Sequence, residues 1–286
     1  MKLCKMRSVF CTVLLLLGGL SACSSHPKEA TTPSDAQAWI DASKEKMSKI
    51  KSYDAVIDNN IDITISNQSA AVKMHMEYSH ILDPYGIKGM IALDMDAGAL
   101  GNMTQNVDIY IEEKDEQYQM YTKAQGTSDW LIEYLNNSEV TNYEPIELIH
   151  IFLEGISDAK IIRTEEIEGM KAQVVKGIIF GENLKELFKA TSSASNFTDM
   201  NLEKISDVAF TKVFSNVPPL SIHIWIDTKS QYVIKYEMNM SEVMNQIIAN
   251  VFEENVAKEW SYGNAQISTT CKNFNQVKPI TMPKVK

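Results

Sequence analysis

The sequence is short of cysteine. Four occur in 286 residues, and three of them, Cys4, Cys11 and Cys23, fall within the first 23 positions. Cys271 therefore stands alone in the remainder, which excludes an intramolecular disulfide there. It lies in Ile267-Ser268-Thr269-Thr270-Cys271, a strand-like run with no histidine or basic residue beside it. That setting fits a small core side chain better than a nucleophile, whose thiolate needs a positive neighbour. Basic residues are also scarce: 27 Lys and Arg face 37 Asp and Glu, a net charge of −10. A surface of that sign repels phosphate backbones and disfavours nucleic-acid binding driven by counterion release. Catalytic signatures are missing too. There is no HExxH, paired CxxC, GxSxG or Walker loop, and His26, His75, His80, His150 and His223 show no metal-ligand spacing. Asp94-Met95-Asp96 begins like a calcium loop, but Ala99 stands where glycine is needed and Gln105 where the bidentate glutamate belongs. Neither an enzyme, a metal site nor a resident cofactor is expected.

What the sequence does have is the composition of a packed globular chain, 44% hydrophobic and 22% charged. Its N-terminal apolar run, Val9 to Leu17, is too short to span a bilayer. Basic Lys2, Lys5 and Arg7 precede it, and Leu20-Ser21-Ala22-Cys23 follows, as in a secretory signal. The last four residues resemble the bacterial lipobox, in which small side chains let the extended backbone fit the peptidase and the cysteine thiol takes the lipid. Residues 1–22 read as a lipoprotein signal, Cys23 as the lipidated N-terminus and 23–33, polar and rich in Ser, Thr and Pro, as a flexible tether. Removing the three basic residues of the signal leaves 24 against 37, or −13. A diacylglyceryl anchor supplies two acyl chains, enough for stable attachment. The expected place is the extracytoplasmic face of the cell membrane.

The fold is expected to start at Ser34, which forms a capping box with Gln37. Ala36, Trp39, Ile40, Ser43, Met47 and Ile50 follow at helical spacing, ending near Lys51. The period then switches to two. Ile57, Ile61, Ile63 and Ile65 alternate with polar residues; so do Val72, Met74, Met76 and Tyr78, then Ile87, Gly89, Ile91, Leu93 and Met95, then Val107, Ile109 and Ile111. With Tyr118 and Met120 these predict half-buried strands joined by short hairpins, hence an antiparallel sheet. Pro145 opens a short helix that Gly155 closes, and another lies near Glu182 to Lys189. Strands are predicted at 160–164, 172–180, 208–214 and 222–226, then at Tyr232 to Met240, with Tyr232, Ile234, Tyr236, Met238 and Met240 on one face. Ser241 opens a further helix. No linker divides the chain, so 34–286 reads as one domain.

This layout, with the turn Ile226-Asp227-Thr228-Lys229-Ser230-Gln231 and the ending Pro279-Ile280-Thr281-Met282-Pro283, resembles the LolA-like and LppX-like bacterial lipoproteins, including uncharacterised Gram-positive ones. The resemblance implies an α+β, mainly β fold: a half-open antiparallel β-barrel with helices plugging the concave face, used to shelter acyl chains or to dock a protein partner. The helix-like Glu242 to Lys258 departs from that layout.

Of 15 methionines, Met1 and Met6 belong to the signal, leaving 13, and Met74, Met76, Met95, Met120, Met238 and Met240 fall on apolar strand faces. Flexible thioethers suit a surface that accommodates varied apolar shapes, and equally suit gaps between helix and sheet. Two functions follow. One is a non-enzymatic binder of a lipid or acylated ligand, lined by Met74, Met76, Ile91, Leu93, Ile109 and Met120, with 35–51 and 145–154 as lids. The other is an envelope protein-interaction or sensing module with a filled core and an exposed apolar patch.

Overall fold

A computed structural model describes residues 35–98, 101–136, 140, 143–181, 183–185, 187, 213–214 and 216–285. The expected signal, Cys23, the tether and Ser34 lie outside the described residues, as does most of the expected strand at 208–214; its last two residues, Val213 and Phe214, are helical. Gly181, 183–185 and Leu187 are helical as expected.

The first helix, α1 (Ala36–Met47), is capped by Asp35, whose side chain accepts the Ala38 N–H at 2.8 Å. An Asp at that position satisfies one of the first-turn donors left over by the helix. Six strands follow: β1 (Ser52–Ile65), β2 (Gln68–Leu82), β3 (Tyr85–Asp96), β4 (Asn102–Lys114), β5 (Gln117–Ala124) and β6 (Leu131–Leu135). After α2 (Pro145–Gly155) come β7 (Ile156–Ile167), β8 (Met170–Ile179), β9 (Leu220–Asp227) and β10 (Val233–Asn239), then α3 (Ser241–Val251), the single turn α4 (Glu254–Ala257) and β11 (Trp260–Lys272). The hairpins β1–β2, β4–β5 and β7–β8 turn on residue pairs that both have positive φ: Ser66-Asn67, Asp115-Glu116 and Glu168-Gly169. That geometry matches the twist of paired strands.

All eleven strands form one antiparallel sheet in the order β6-β5-β4-β3-β2-β1-β11-β10-β9-β8-β7. Two meanders, β1–β6 and β7–β11, meet where β1 pairs with β11. The edges β6 and β7 do not pair with each other, so the sheet is curved but open, as the half-open barrel expectation requires. The inner face carries Ala55, Ile57, Met76, Ile111, Ile224 and Tyr236 into one core with Trp39, Ile40 and Met47 of α1, Ile149, Phe152 and Leu153 of α2, and Val243, Met244 and Ile247 of α3. Trp39 and Ile40 are 1% and 0% exposed; burying each stabilises by about 1.5–3 kcal/mol.

A smaller cluster sits on the outer face: Ala172, Val174, Trp225 and Ile234, with Phe274 and Tyr232 against it. This corrects the single-face reading of β10. The pairing with β9 shifts register between Val233 and Lys235, and the bulge turns Ile234 outward while Val233, Tyr236 and Met238 stay inside. Beyond β11 the tail crosses that outer face. Asn275 N–H donates to Ser52 O at 2.7 Å and Asn275 Oδ1 accepts from Lys51 N–H at 2.6 Å.

Candidate functional site

The register places all six predicted lining residues on the inner face. Met74 lies opposite Leu93 and Met76 opposite Ile91; Ile91 lies opposite Val107, and Ile111, two residues from Ile109 on the same face, lies opposite Met120. They do not share one environment. Met76, Ile109 and Met120 are buried at 5%, 1% and 9% exposure, and Met76 and Met120 belong to the core that contains α1 and α2. Met74, Ile91 and Leu93 are only half-buried, as are Val72, Met95 and Val107 beside them. The inner face thus grades from a packed end to a half-open apolar end across β2, β3 and β4. The two helices expected as lids touch each other, with Lys44 Nζ of α1 3.2 Å from Glu154 Oε2 of α2.

Polar side chains interrupt the packed end. His80 is fully buried, and its Nδ1 lies 2.7 Å from the Tyr53 hydroxyl. With Tyr53 donating, the neutral ring carries its proton on Nε2, which has no hydrogen-bond partner. Burial lowers the His80 pKa from 6.5 to about 3. Rings of Tyr53, His80, Tyr85 and Tyr118 make successive edge contacts, with centroids 5.1, 4.8 and 5.0 Å apart. Asn59 Oδ1 and the Tyr78 hydroxyl are likewise buried without a partner, while the buried Thr269 hydroxyl lies beside that of Tyr236 and acts on its titration as a hydrogen-bond partner. The sequence reading placed Tyr78 and Tyr118 only as inward strand residues and gave the others no role, yet they had a signal: each is a polar or hydroxyl-bearing side chain in the apolar phase of an alternating strand.

Where α1 meets α2 there is a cavity of about 160 Å³, lined by Met47, Ile50, Tyr53, Ile146 and, at its polar side, Glu144, Glu147 and His150. Burial raises the Glu144 pKa, and the nearby Tyr85 hydroxyl opposes the shift.

The remaining candidates sit away from this face. His75 points outward and lies 2.7 Å from Asp58 and 3.1 Å from Glu77, which raises its pKa mainly through the Asp58 hydrogen bond. His223, also on the outer face, packs edge-on to Trp225 at 6.2 Å. Both are placed as polar-phase histidines should be. Cys271 is buried, and burial pushes its thiol up to about 12. Among the described residues no group of three or more His, Cys, Asp or Glu could hold a metal ion, and no helix is long and apolar enough to cross a membrane.

A family of unknown function, DUF6612, matches residues 35–148. No curated protein matches the chain. Among solved structures it is similar to the lipoprotein LppX of Mycobacterium tuberculosis, at 12% identity over 86% of this chain and 98% of that one, with a TM-score of 0.45. It is also similar to LprF of Mycobacterium bovis, at 13% identity over 88% and 98% with a TM-score of 0.46. A LolA superfamily protein of Nitrosomonas europaea matches at 8% identity over 87% and 96%, with a TM-score of 0.22. These are the groups that the sequence layout resembles.

Proposed function

We propose that the chain is an extracytoplasmic lipoprotein, held to the cell membrane by a diacylglyceryl group on Cys23, that binds a lipid or acylated ligand on its inner sheet face without transforming it. The burial gradient carries this reading. Met74 and Leu93 form one half-buried cross-strand row; in the next row Ile91 and Val107 are half-buried too, while Met76, on β2 in that same row, is packed into the core. A contiguous, half-open apolar surface on a concave face is the usual form of a ligand site. The lining methionines can repack around varied chains.

The gradient also decides the test. Met74→Trp is expected to block uptake of 1,6-diphenylhexatriene with little change in melting temperature, because Met74 is only half-buried at the margin of the core. Met76→Trp is expected to overpack the core and destabilise by roughly 1–3 kcal/mol. Equal destabilisation by both, with no probe uptake by wild type, would refute the site. The anchor is tested separately. Cys23→Ala is expected to move the protein from washed membranes to the soluble fraction, since a mature surface of −13 has no other evident attachment; persistence in membranes counts against it.

The second reading, an interaction or sensing module, is favoured by β6, where Leu131, Ile132 and Tyr134 are 65%, 43% and 65% exposed. It requires that wild type take up no apolar probe.

A further inference from the structure

We infer that β6 is a docking edge for an extended segment of another protein, one in which apolar residues flank a lysine or arginine and which adds to the sheet as a further strand. The edge lies apart from the ligand rows proposed above, and its occupancy does not depend on them.

The open sheet has two edges, and the chain treats them differently. β7 is bulged twice against β8, between Ser157 and Lys160 and between Ile161 and Arg163, and Asp158 within it has a φ of 51°. Ile161 and Ile162 are exposed there, but the bulges bend their backbone out of line, and Lys160 and Arg163 add charge. Bulges and cations are the means by which natural edge strands are kept from pairing. β6 has neither. It pairs with β5 without a register shift, from Leu131 opposite Thr122 to Leu135 opposite Tyr118. It contains no lysine, proline or glycine, and no described strand pairs with its other side. Leu131 and Glu133, opposite Thr122 and Met120, lie on the inner face; Ile132 and Tyr134, opposite Tyr121 and Gln119, lie on the outer face, and all four are exposed. The strand is also held in place before anything docks. Trp130, just ahead of it, meets the Tyr110 ring edge-on at 5.4 Å and has Lys123 Nζ 4.8 Å from its centroid. An edge already ordered loses little entropy on pairing.

Charge chooses the occupant. Glu133 stands in the middle of β6, Asp129 precedes it, and the β4–β5 turn beside Leu135 carries Glu113, Asp115 and Glu116. Lys123 is engaged by Asp108 at 3.9 Å and by Trp130, and Lys114 sits within the acidic turn itself. An incoming strand with a basic residue opposite Glu133 gains an opposite-charge cross-strand pair, and apolar residues on either side of that base meet Ile132 and Tyr134. A second copy is the poorer occupant. Its β7 is bulged, and its β6 brings the same acidic set to a chain with 27 Lys and Arg against 37 Asp and Glu.

The test is fluorescence anisotropy on the purified protein with two labelled nonapeptides, Ser-Val-Thr-Val-Lys-Val-Thr-Val-Ser and the same sequence with glutamate at its centre. Each reads the same in both directions, so the outcome does not depend on strand polarity. Wild type is expected to bind the lysine peptide about tenfold more tightly, the factor that exchanging a like-charge for an opposite-charge cross-strand pair brings. Glu133→Lys is expected to reverse the order, although the chain stays acidic overall. Ile132→Ser/Tyr134→Ser is expected to weaken the lysine peptide about tenfold and to keep the melting temperature, because both side chains are exposed. Lys160→Glu on β7 is expected to change neither peptide. A lysine preference that survives Glu133→Lys is attraction to net charge and overturns the inference. So does binding unchanged in the serine variant, or failure of both peptides to bind at about 1 mM. A wild-type dimer in sedimentation that the serine variant dissolves assigns the edge to a second copy and overturns it too. Uptake of 1,6-diphenylhexatriene is expected to be the same in all these variants, which keeps this result separate from the ligand reading.

Discussion

Acidification from pH 6.5 to pH 4 is expected to lower the unfolding free energy by about 3 kcal/mol through His80 alone. His80 sits on β2 between Tyr53 of β1 and Ile87 of β3 and is 0% exposed. Burial lowers its pKa from 6.5 to about 3. Between those values the unfolded chain binds a proton that the native imidazole refuses, so stability falls with pH at about 1.4 kcal/mol per unit. The contribution is whole above 6.5 and gone near 3. His223 is shifted the same way by desolvation, then by Lys176 and Arg163. His75 is shifted up, so its contribution is present below 6.5 and lost as pH rises through its folded value. Glu144, raised by burial, likewise favours the acid side. A difference measurement cancels all three. Urea unfolding of wild type and of Tyr53→Phe/His80→Phe, compared at pH 6.5, 5.5 and 4.5, should show the extra slope only in wild type. The double variant is preferred because His80→Phe alone strands the Tyr53 hydroxyl, 2.7 Å from Nδ1, at about 1–3 kcal/mol. Parallel pH profiles would mean that the imidazole is hydrated.

The buried imidazole also marks what the sequence could and could not tell. Strands β1 to β5 were legible because half-buried strands must alternate. The same alternation put Met74, Met76, Ile91, Leu93, Ile109 and Met120 on one face. It could not tell that Met76 is packed and Met74 half-open, because that depends on which inner-face rows lie in the core with α1 and α2, a long-range fact with no local pattern. The β1–β11 pairing, joining residues some 200 apart, is invisible for the same reason. Edge strand β6 was missed since Leu131-Ile132-Glu133-Tyr134-Leu135 does not alternate, and it does not alternate because both of its faces are open to solvent. The outward turn of Ile234 needed a bulge that period counting cannot contain. Asn59, Tyr78, His80 and Thr269 were readable in principle. A polar residue in the apolar phase looks like noise until the strands are aligned; only the pairing shows that Tyr78, Thr269 and Asn59 all face inward.

Gly89→Ala is expected to destabilise by about 3 kcal/mol or more, although it adds one methyl group to a strand. Gly89 occupies the apolar phase of β3 and lies directly opposite Tyr78. A Cβ built there would come within 2.3 Å of Glu77 O and of Tyr78 Cβ and within 2.8 Å of Tyr78 Cα. Two of those atoms are backbone, so no rotamer change relieves the contact; β2 and β3 must part, and the ladder on both sides loses geometry. Glycine interrupts an otherwise bulky strand where another backbone must come close. For a chain of this size the loss corresponds to a melting temperature about 6–12 °C lower. Gly263→Ala is the control: it lies on β11, where the nearest atom to a new Cβ is Asp62 Cβ at 3.8 Å, an ordinary contact, so its melting temperature should stay within a few degrees of wild type. The parting of β2 from β3 also reaches the site, because Ile91 and Leu93 follow Gly89 on the same face opposite Met76 and Met74. Uptake of an apolar probe should therefore weaken in Gly89→Ala even at temperatures where the variant is folded, and remain unchanged in Gly263→Ala. If the two glycine variants melt together, the β2–β3 approach at Tyr78 is looser than these distances require.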